Sequence, residues 1–147
     1  MTKEAHQFIL TPSTWLGEGK IELNMAGEEL PFCTKWTIAK KEQGKIECLQ
    51  EIQVKGLSEI MHNQFMFFDL SPGNFSLELD NPHLGKIVGK GVITPEVIAW
   101  EFRSSQMGFE GFEMYEKKEE GVYLLHAEYA TSEDLRTTIR GKVWQEK

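Results

Sequence analysis

The residues of this sequence with chemistry to offer are polar side chains that share a strand face with apolar neighbours. A buried polar group costs free energy unless it is paired or meets a ligand. His62 and Gln64 alternate with Ile60, Met66 and Phe68; Gln50 falls between Cys48 and Ile52; Glu101 and Arg103 share a phase with Val97 and Ala99; Glu113 lies between Gly111 and Tyr115. With Trp36, Tyr115, Tyr123 and Tyr129 they make a candidate cavity lining, mainly apolar with a few convergent polar groups. In such a wall Arg103 would receive a carboxylate, and His62, Gln64 and Tyr115 would be hydrogen-bond partners. Glu113 or Glu101, raised in pKa by apolar surroundings, would be suited to work with His62 as an acid–base pair. Each residue also has a plainer role: His62 as a rim histidine satisfied by one hydrogen bond, Glu101 and Arg103 as partners of each other. The strand carrying that pair reads either way, because Trp100 and Phe102 occupy its other phase and would take Arg103 out of the cavity if they point inward.

No sharper motif is present. The sequence lacks His-Glu-x-x-His, Cys-x-x-Cys, Gly-x-Ser-x-Gly and a phosphate-binding glycine loop leading into a helix. Its four histidines, at 6, 62, 83 and 126, have no spacing that brings two to a metal from one element. No catalytic residue and no metal ligand is assigned. A net charge of −7 over 147 residues argues against nucleic acid and anionic membranes as partners, since both select clustered Lys and Arg. The N-terminus lacks the apolar core of a signal peptide, and no apolar run reaches membrane-spanning length, so a cytoplasmic chain is expected. Cys33 and Cys48 fall on opposite phases of their strands, which disfavours a disulfide between them.

The elements that position these residues are strands. Period-two alternation recurs along the chain, broken by turn residues every ten to fifteen positions or so. The expected strands are Thr14 to Met25, Phe32 to Lys40, Ile46 to Val54, Ile60 to Leu70, Phe75 to Leu79, Gly85 to Thr94, Val97 to Ser104, Gly108 to Lys117, Val122 to Ala130 and Leu135 to Gln145. Residues 1–13 make an N-terminal cap segment, and 1–147 a single domain. About ten short strands joined by hairpin-length turns leave an edge problem that a closed up-and-down antiparallel β-barrel or a sandwich solves. Gly17 and Gly19 share a face with Trp15 and Ile21, and Gly89 and Gly91 with Ile87 and Ile93. Glycines within strands mark coiling or close approach, which favours the barrel, with Trp15 plugging one end. The stretch Phe65 to Phe68 is apolar on both faces, as expected of burial on both sides or of an exposed patch joining a homodimer.

"TWLGEG", Thr14 to Gly19, resembles the opening of the calycin superfamily, most closely the nitrobindin-like branch and more loosely the Gly-x-Trp of the lipocalins. The resemblance implies an eight- to ten-stranded barrel around a cavity for a small apolar molecule. In nitrobindin-like members it further implies a haem held by one histidine on a strand near the C-terminus. The last strand here, "LRTTIRGKVW", has no histidine, and the nearest is His126 on the strand before. The lipocalin pattern also stacks a late Arg over the early Trp; Arg136 and Arg140 are available but share the phase of Lys142.

Three functions fit these observations. The first is a binding protein that holds a small apolar or amphipathic molecule, such as a fatty acid, isoprenoid or tetrapyrrole, in the barrel interior. The second is an acid–base enzyme using an interior Glu/His pair, which requires both groups inside and within hydrogen-bond reach. The third is a barrel filled by its own sixteen aromatic residues and acting through its acidic surface as a protein-interaction module.

Overall fold

The computed structural model describes residues 6–24, 27–104, 108–131 and 135–146. Ten strands follow in order: β1 (Ser13–Leu23), β2 (Glu28–Ile38), β3 (Ile46–Val54), β4 (Ile60–Phe68), β5 (Asn74–Asn81), β6 (Gly85–Ile93), β7 (Val97–Ser104), β8 (Phe109–Glu119), β9 (Val122–Thr131) and β10 (Arg136–Gln145). Each pairs antiparallel with its sequence neighbours, and β1 pairs with β10 from Trp15↔Gln145 to Leu23↔Thr137, closing the barrel. Closure removes both sheet edges. No helix occurs among the described residues, and none is long and apolar enough to cross a membrane.

Three strands run further than the alternation indicates, by two residues or more. β2 begins at Glu28, ahead of Pro31, a residue that ordinarily breaks a ladder. The Pro31 carbonyl accepts the Lys55 N–H just past the end of β3, so its missing donor falls where that partner strand has stopped. β5 continues to Asn81, which pairs with Gly85 in a stretch whose Asn-Pro sequence reads as a loose connection. β8 reaches Glu119 through a bulge between Lys117 and Glu119. The expected end of the first strand at Met25 lies outside the described residues.

The inward glycines are sites of close approach. Gly19 and Gly141 face each other across the β1–β10 seam, and a Cβ on either would strike the opposing backbone. The seam closes tightly because neither residue carries a side chain.

One end of the barrel is sealed by residues 6–12. Phe8 is fully buried among Trp15, Trp36, Tyr115 and Tyr123, with ring centroids 5.2, 5.4, 4.7 and 5.6 Å away. Ile9, also fully buried, holds φ of 60°, a region that costs a β-branched residue about 1–3 kcal/mol. Complete burial of its side chain offsets that strain. His6 fastens the segment: Nε2–H donates to the Thr94 carbonyl at 2.5 Å, which leaves Nδ1 to accept the Tyr123 hydroxyl at 2.7 Å. Trp15 belongs to this plug, its indole N–H donating to the Ser13 hydroxyl at 2.9 Å. Burial pushes the Tyr123 phenol up to about 12, so it stays a donor.

Candidate functional site

The aromatic plug fills the end of the barrel closed by residues 6–12, and the other half holds a cavity of about 310 Å³ that reaches the opposite rim. Its wall is largely apolar, with Ile21, Phe32, Phe65, Leu79, Leu125 and Ile139 among the lining residues. Polar groups enter at two places.

The first is Glu113 on β8. Its side chain is buried, Oε1 accepts the Tyr115 hydroxyl at 2.6 Å, and Oε2 accepts the Tyr129 hydroxyl in a short hydrogen bond. Tyr115 lies two residues on along the same strand face, and Tyr129 comes from β9. Gly111 makes room for that approach, since a Cβ there would strike the Tyr129 ring, which also stacks on Phe109 at 5.6 Å. Desolvation lifts the Glu113 carboxyl above its ordinary value, against the two phenols, which favour the charged form. The Trp100 indole N–H, on the residue paired with Glu113 across β7 and β8, acts in the same direction without reaching hydrogen-bond geometry. Desolvation first, and the carboxylate second, hold both phenols well above their usual range, so they remain donors.

The second is a row of side chains crossing four adjacent strands. Asn81 Nδ2 donates to Asn63 Oδ1 at 2.6 Å, Asn63 Nδ2 to Gln50 Oε1 at 3.1 Å, and Gln50 Nε2 to the Thr34 hydroxyl at 3.2 Å. Thr34 in turn donates to the Glu51 carbonyl at 2.8 Å. Each amide oxygen accepts a hydrogen bond, from its neighbour in the row or, at Asn81, from backbone N–H groups, so burial of the row carries little penalty. In the ring of ten strands β3 and β8 are five apart in either direction, which sets Gln50 on the wall opposite Glu113.

Of the residues singled out in the sequence, Gln50, Glu113, Tyr115 and Tyr129 line the cavity. Trp36 is fully buried within the plug, against Phe65, Trp100 and Tyr115, and Tyr123 belongs to the same layer. The inward placement of His62, Gln64, Phe68, Glu101 and Arg103 is corrected. His62 and Gln64 are exposed on the outer face, His62 lying 3.8 Å from the Glu51 carboxylate, and Phe68 shares their outer phase half-buried. Glu101 and Arg103 are exposed and lie 3.7 Å from each other. In both strands the aromatic phase wins. Burying Phe65 and Phe67, or Trp100 and Phe102, gains about 1.5–3 kcal/mol per large side chain, whereas the opposite phase would bury charged or amide groups.

Sequence reasoning missed Asn63 and Asn81. Asn63 shares the phase of Phe65 and Phe67, so assigning the strand by its aromatics would have found it. Asn81 Oδ1 accepts the backbone N–H groups of His83 and Leu84, a turn signature consistent with Asn-Pro but silent about the cavity.

The haem implied by the nitrobindin-like resemblance needs a histidine in the wall. His6 is locked in the plug, His62 and His126 face outward, and His83 is exposed on the rim. Among the described residues the cavity lining has no histidine, so it does not fit a histidine-held haem. Arg136 and Arg140 are exposed, and Trp15 is covered by Phe8 and Tyr123 in place of an arginine.

No protein-family model matches the chain, and no curated protein matches it. Solved structures do. The S-type phycobiliprotein lyase CpeS of Guillardia theta superposes with a TM-score of 0.72 at 8% identity, over 95% of this chain and 91% of that one. Rv2717c of M. tuberculosis gives 0.74 at 12% identity, with 100% of both chains covered. EF1p2_mFAP2b bound to DFHBI gives 0.51 at 10% identity, over 98% and 100%. The first two are ten-stranded antiparallel barrels of the calycin-like type, and this chain shares that architecture.

Proposed function

We propose that the protein is a binding protein that takes a small apolar or amphipathic molecule into the open half of its barrel. The observation that carries this reading is the cavity of about 310 Å³, apolar over most of its wall, with a buried carboxyl–phenol cluster facing a row of amides. Desolvation of the ligand's apolar body supplies affinity, and the two polar sets fix its orientation. Among similar folds, one barrel is described as bound to DFHBI and another as a phycobiliprotein lyase, which supports a barrel interior adapted to small molecules. The acid–base reading paired His62 with Glu113 or Glu101, and it loses its base because His62 and Glu101 lie outside the barrel. The filled-barrel reading applies to the plugged half only.

Nile red, a neutral apolar dye, tests the proposal. Wild-type protein is expected to bind it with a blue shift in emission. Ala127→Trp, which places an indole in the cavity from a fully enclosed wall position, is expected to abolish the shift while the circular dichroism stays that of a β-barrel. Equal binding by the folded variant would place the dye elsewhere and overturn the reading. Native mass spectrometry of freshly purified protein beside its denatured mass would reveal a co-purified ligand.

A further inference from the structure

Among the described residues, the cavity wall has one ionisable carboxyl and no base to answer it. Among the described lining residues there is no Lys, Arg or His, and Glu113 is the single carboxylate. The cation that the sequence offered, Arg103, stands outside the barrel beside Glu101. Two phenols donate to Glu113, one to each oxygen, and hold its plane in place. A carboxylate oxygen has two lone pairs, so each retains acceptor capacity after its bond to tyrosine. An ionised Glu113 in this wall therefore lacks a counter-ion, and a buried charge is stabilised when a hydrogen-bonded partner of opposite sign arrives. On the opposite wall Gln50, Asn63 and Asn81 each have their amide oxygen engaged within the row or by backbone N–H groups, and each amide nitrogen keeps one N–H beyond its bond within the row.

We propose that the natural ligand carries a basic nitrogen on an apolar body, the nitrogen meeting Glu113 between Tyr115 and Tyr129, and that carboxylate ligands such as fatty acids are excluded. The inference rests on the cavity-binding function proposed above and specifies its ligand class. A protonated amine supplies the missing counter-ion and donates to the free lone pairs of the carboxylate. A carboxylate ligand would bring a second negative group to the same buried site. A hydrogen-bond acceptor elsewhere on the ligand would find the amides of Gln50 and Asn63 across the cavity.

Three probes with one apolar chain separate the possibilities: decylamine, decanol and decanoate, each competing with Nile red at neutral pH below its micelle concentration. Decylamine is expected to displace the dye at about tenfold lower concentration than decanoate, as a charge-assisted hydrogen bond would produce, with decanol between them. The net charge of −7 alone would attract an amine to the surface, so the series is repeated in 0.5 M salt, which screens exposed charges over about 4 Å and buried ones much less. Glu113→Gln is expected to bring the amine and the alcohol to similar concentrations. Decanoate or decanol ranking first in the wild type overturns the inference without recourse to any variant. Persistence of the amine preference in folded Glu113→Gln also overturns it, by assigning that preference to the surface. If Nile red binds outside the cavity, or if neither the dye nor any of the three probes binds, the binding function itself fails. Dye binding in the cavity with the wrong ranking leaves that function standing and removes only the ligand class.

Discussion

Truncating Phe8 to alanine measures how far the N-terminal segment is part of the barrel. The side chain is completely enclosed and meets four aromatic rings, so Phe8→Ala opens a void that the surrounding indoles and phenols cannot fill without leaving their own contacts. Phe→Ala in a core costs about 3–5 kcal/mol. Because aromatic pairs add about 0.5–1.5 kcal/mol each beyond their burial, the expected loss stands clear of the lower end of that range, at about 4 kcal/mol. In a domain of this size each kcal/mol moves the melting temperature by about 2–4 °C, so a fall of about 8–16 °C is expected. Urea unfolding followed by tryptophan fluorescence reads the same change as a lower midpoint at an unchanged slope. Phe8→Leu keeps most of the volume and is expected to lose much less. A loss below about 1.5 kcal/mol for Phe8→Ala would mean that the cavity can collapse or that the segment is not seated on the barrel, and the account of the closed end would be wrong.

Glu113 produces a pH dependence of known sign. Its carboxyl is raised in the folded protein, mainly by desolvation, above the ordinary value of 4.5. The folded state thus holds a proton that the unfolded state gives up, so this contribution is complete below that value and is lost as pH rises through the raised one. The stability difference between wild type and Glu113→Gln, followed by urea midpoints from acid to neutral pH, is expected to shift against the wild type over that interval; parallel curves would refute the buried titration. The two cysteines should differ in reactivity: Cys33 is exposed on the outer face, whereas Cys48 is buried and desolvation pushes its thiol well above its usual range. An aromatic disulfide reagent is expected to titrate one thiol in native protein and two in denaturant, and two rapid native thiols would contradict the placement of Cys48.

Much of the architecture was legible in the chain, and the site only in part. Period-two alternation with turn residues between the runs is a local property, so ten strands and their order follow from reading along the sequence, and the glycines within the strands favour a closed barrel over a sandwich. Where one face alone is apolar the orientation follows too: Phe32, Thr34, Trp36 and Ile38 on β2, and Ile46, Cys48 and Gln50 on β3, point inward as their pattern indicates. β4 and β7 have large apolar residues on both faces, and there local pattern cannot choose. The barrel chose by burying Phe65, Phe67, Trp100 and Phe102, the first three against rings from other strands, which sent His62, Gln64, Glu101 and Arg103 outward and brought Asn63 in. Phase matters this much because a one-residue slip exchanges the whole inner face for the outer one. The meeting of Glu113 with Tyr129, the amide row over four strands and, among the described residues, the absence of a base from the wall are relations between strands, set by pairing and register and not by the pattern within any one strand. The sequence by itself determined ten antiparallel strands and favoured a barrel over a sandwich; only the tertiary structure decided its closure and which polar groups its interior holds, because burial is a property of the face that other strands cover.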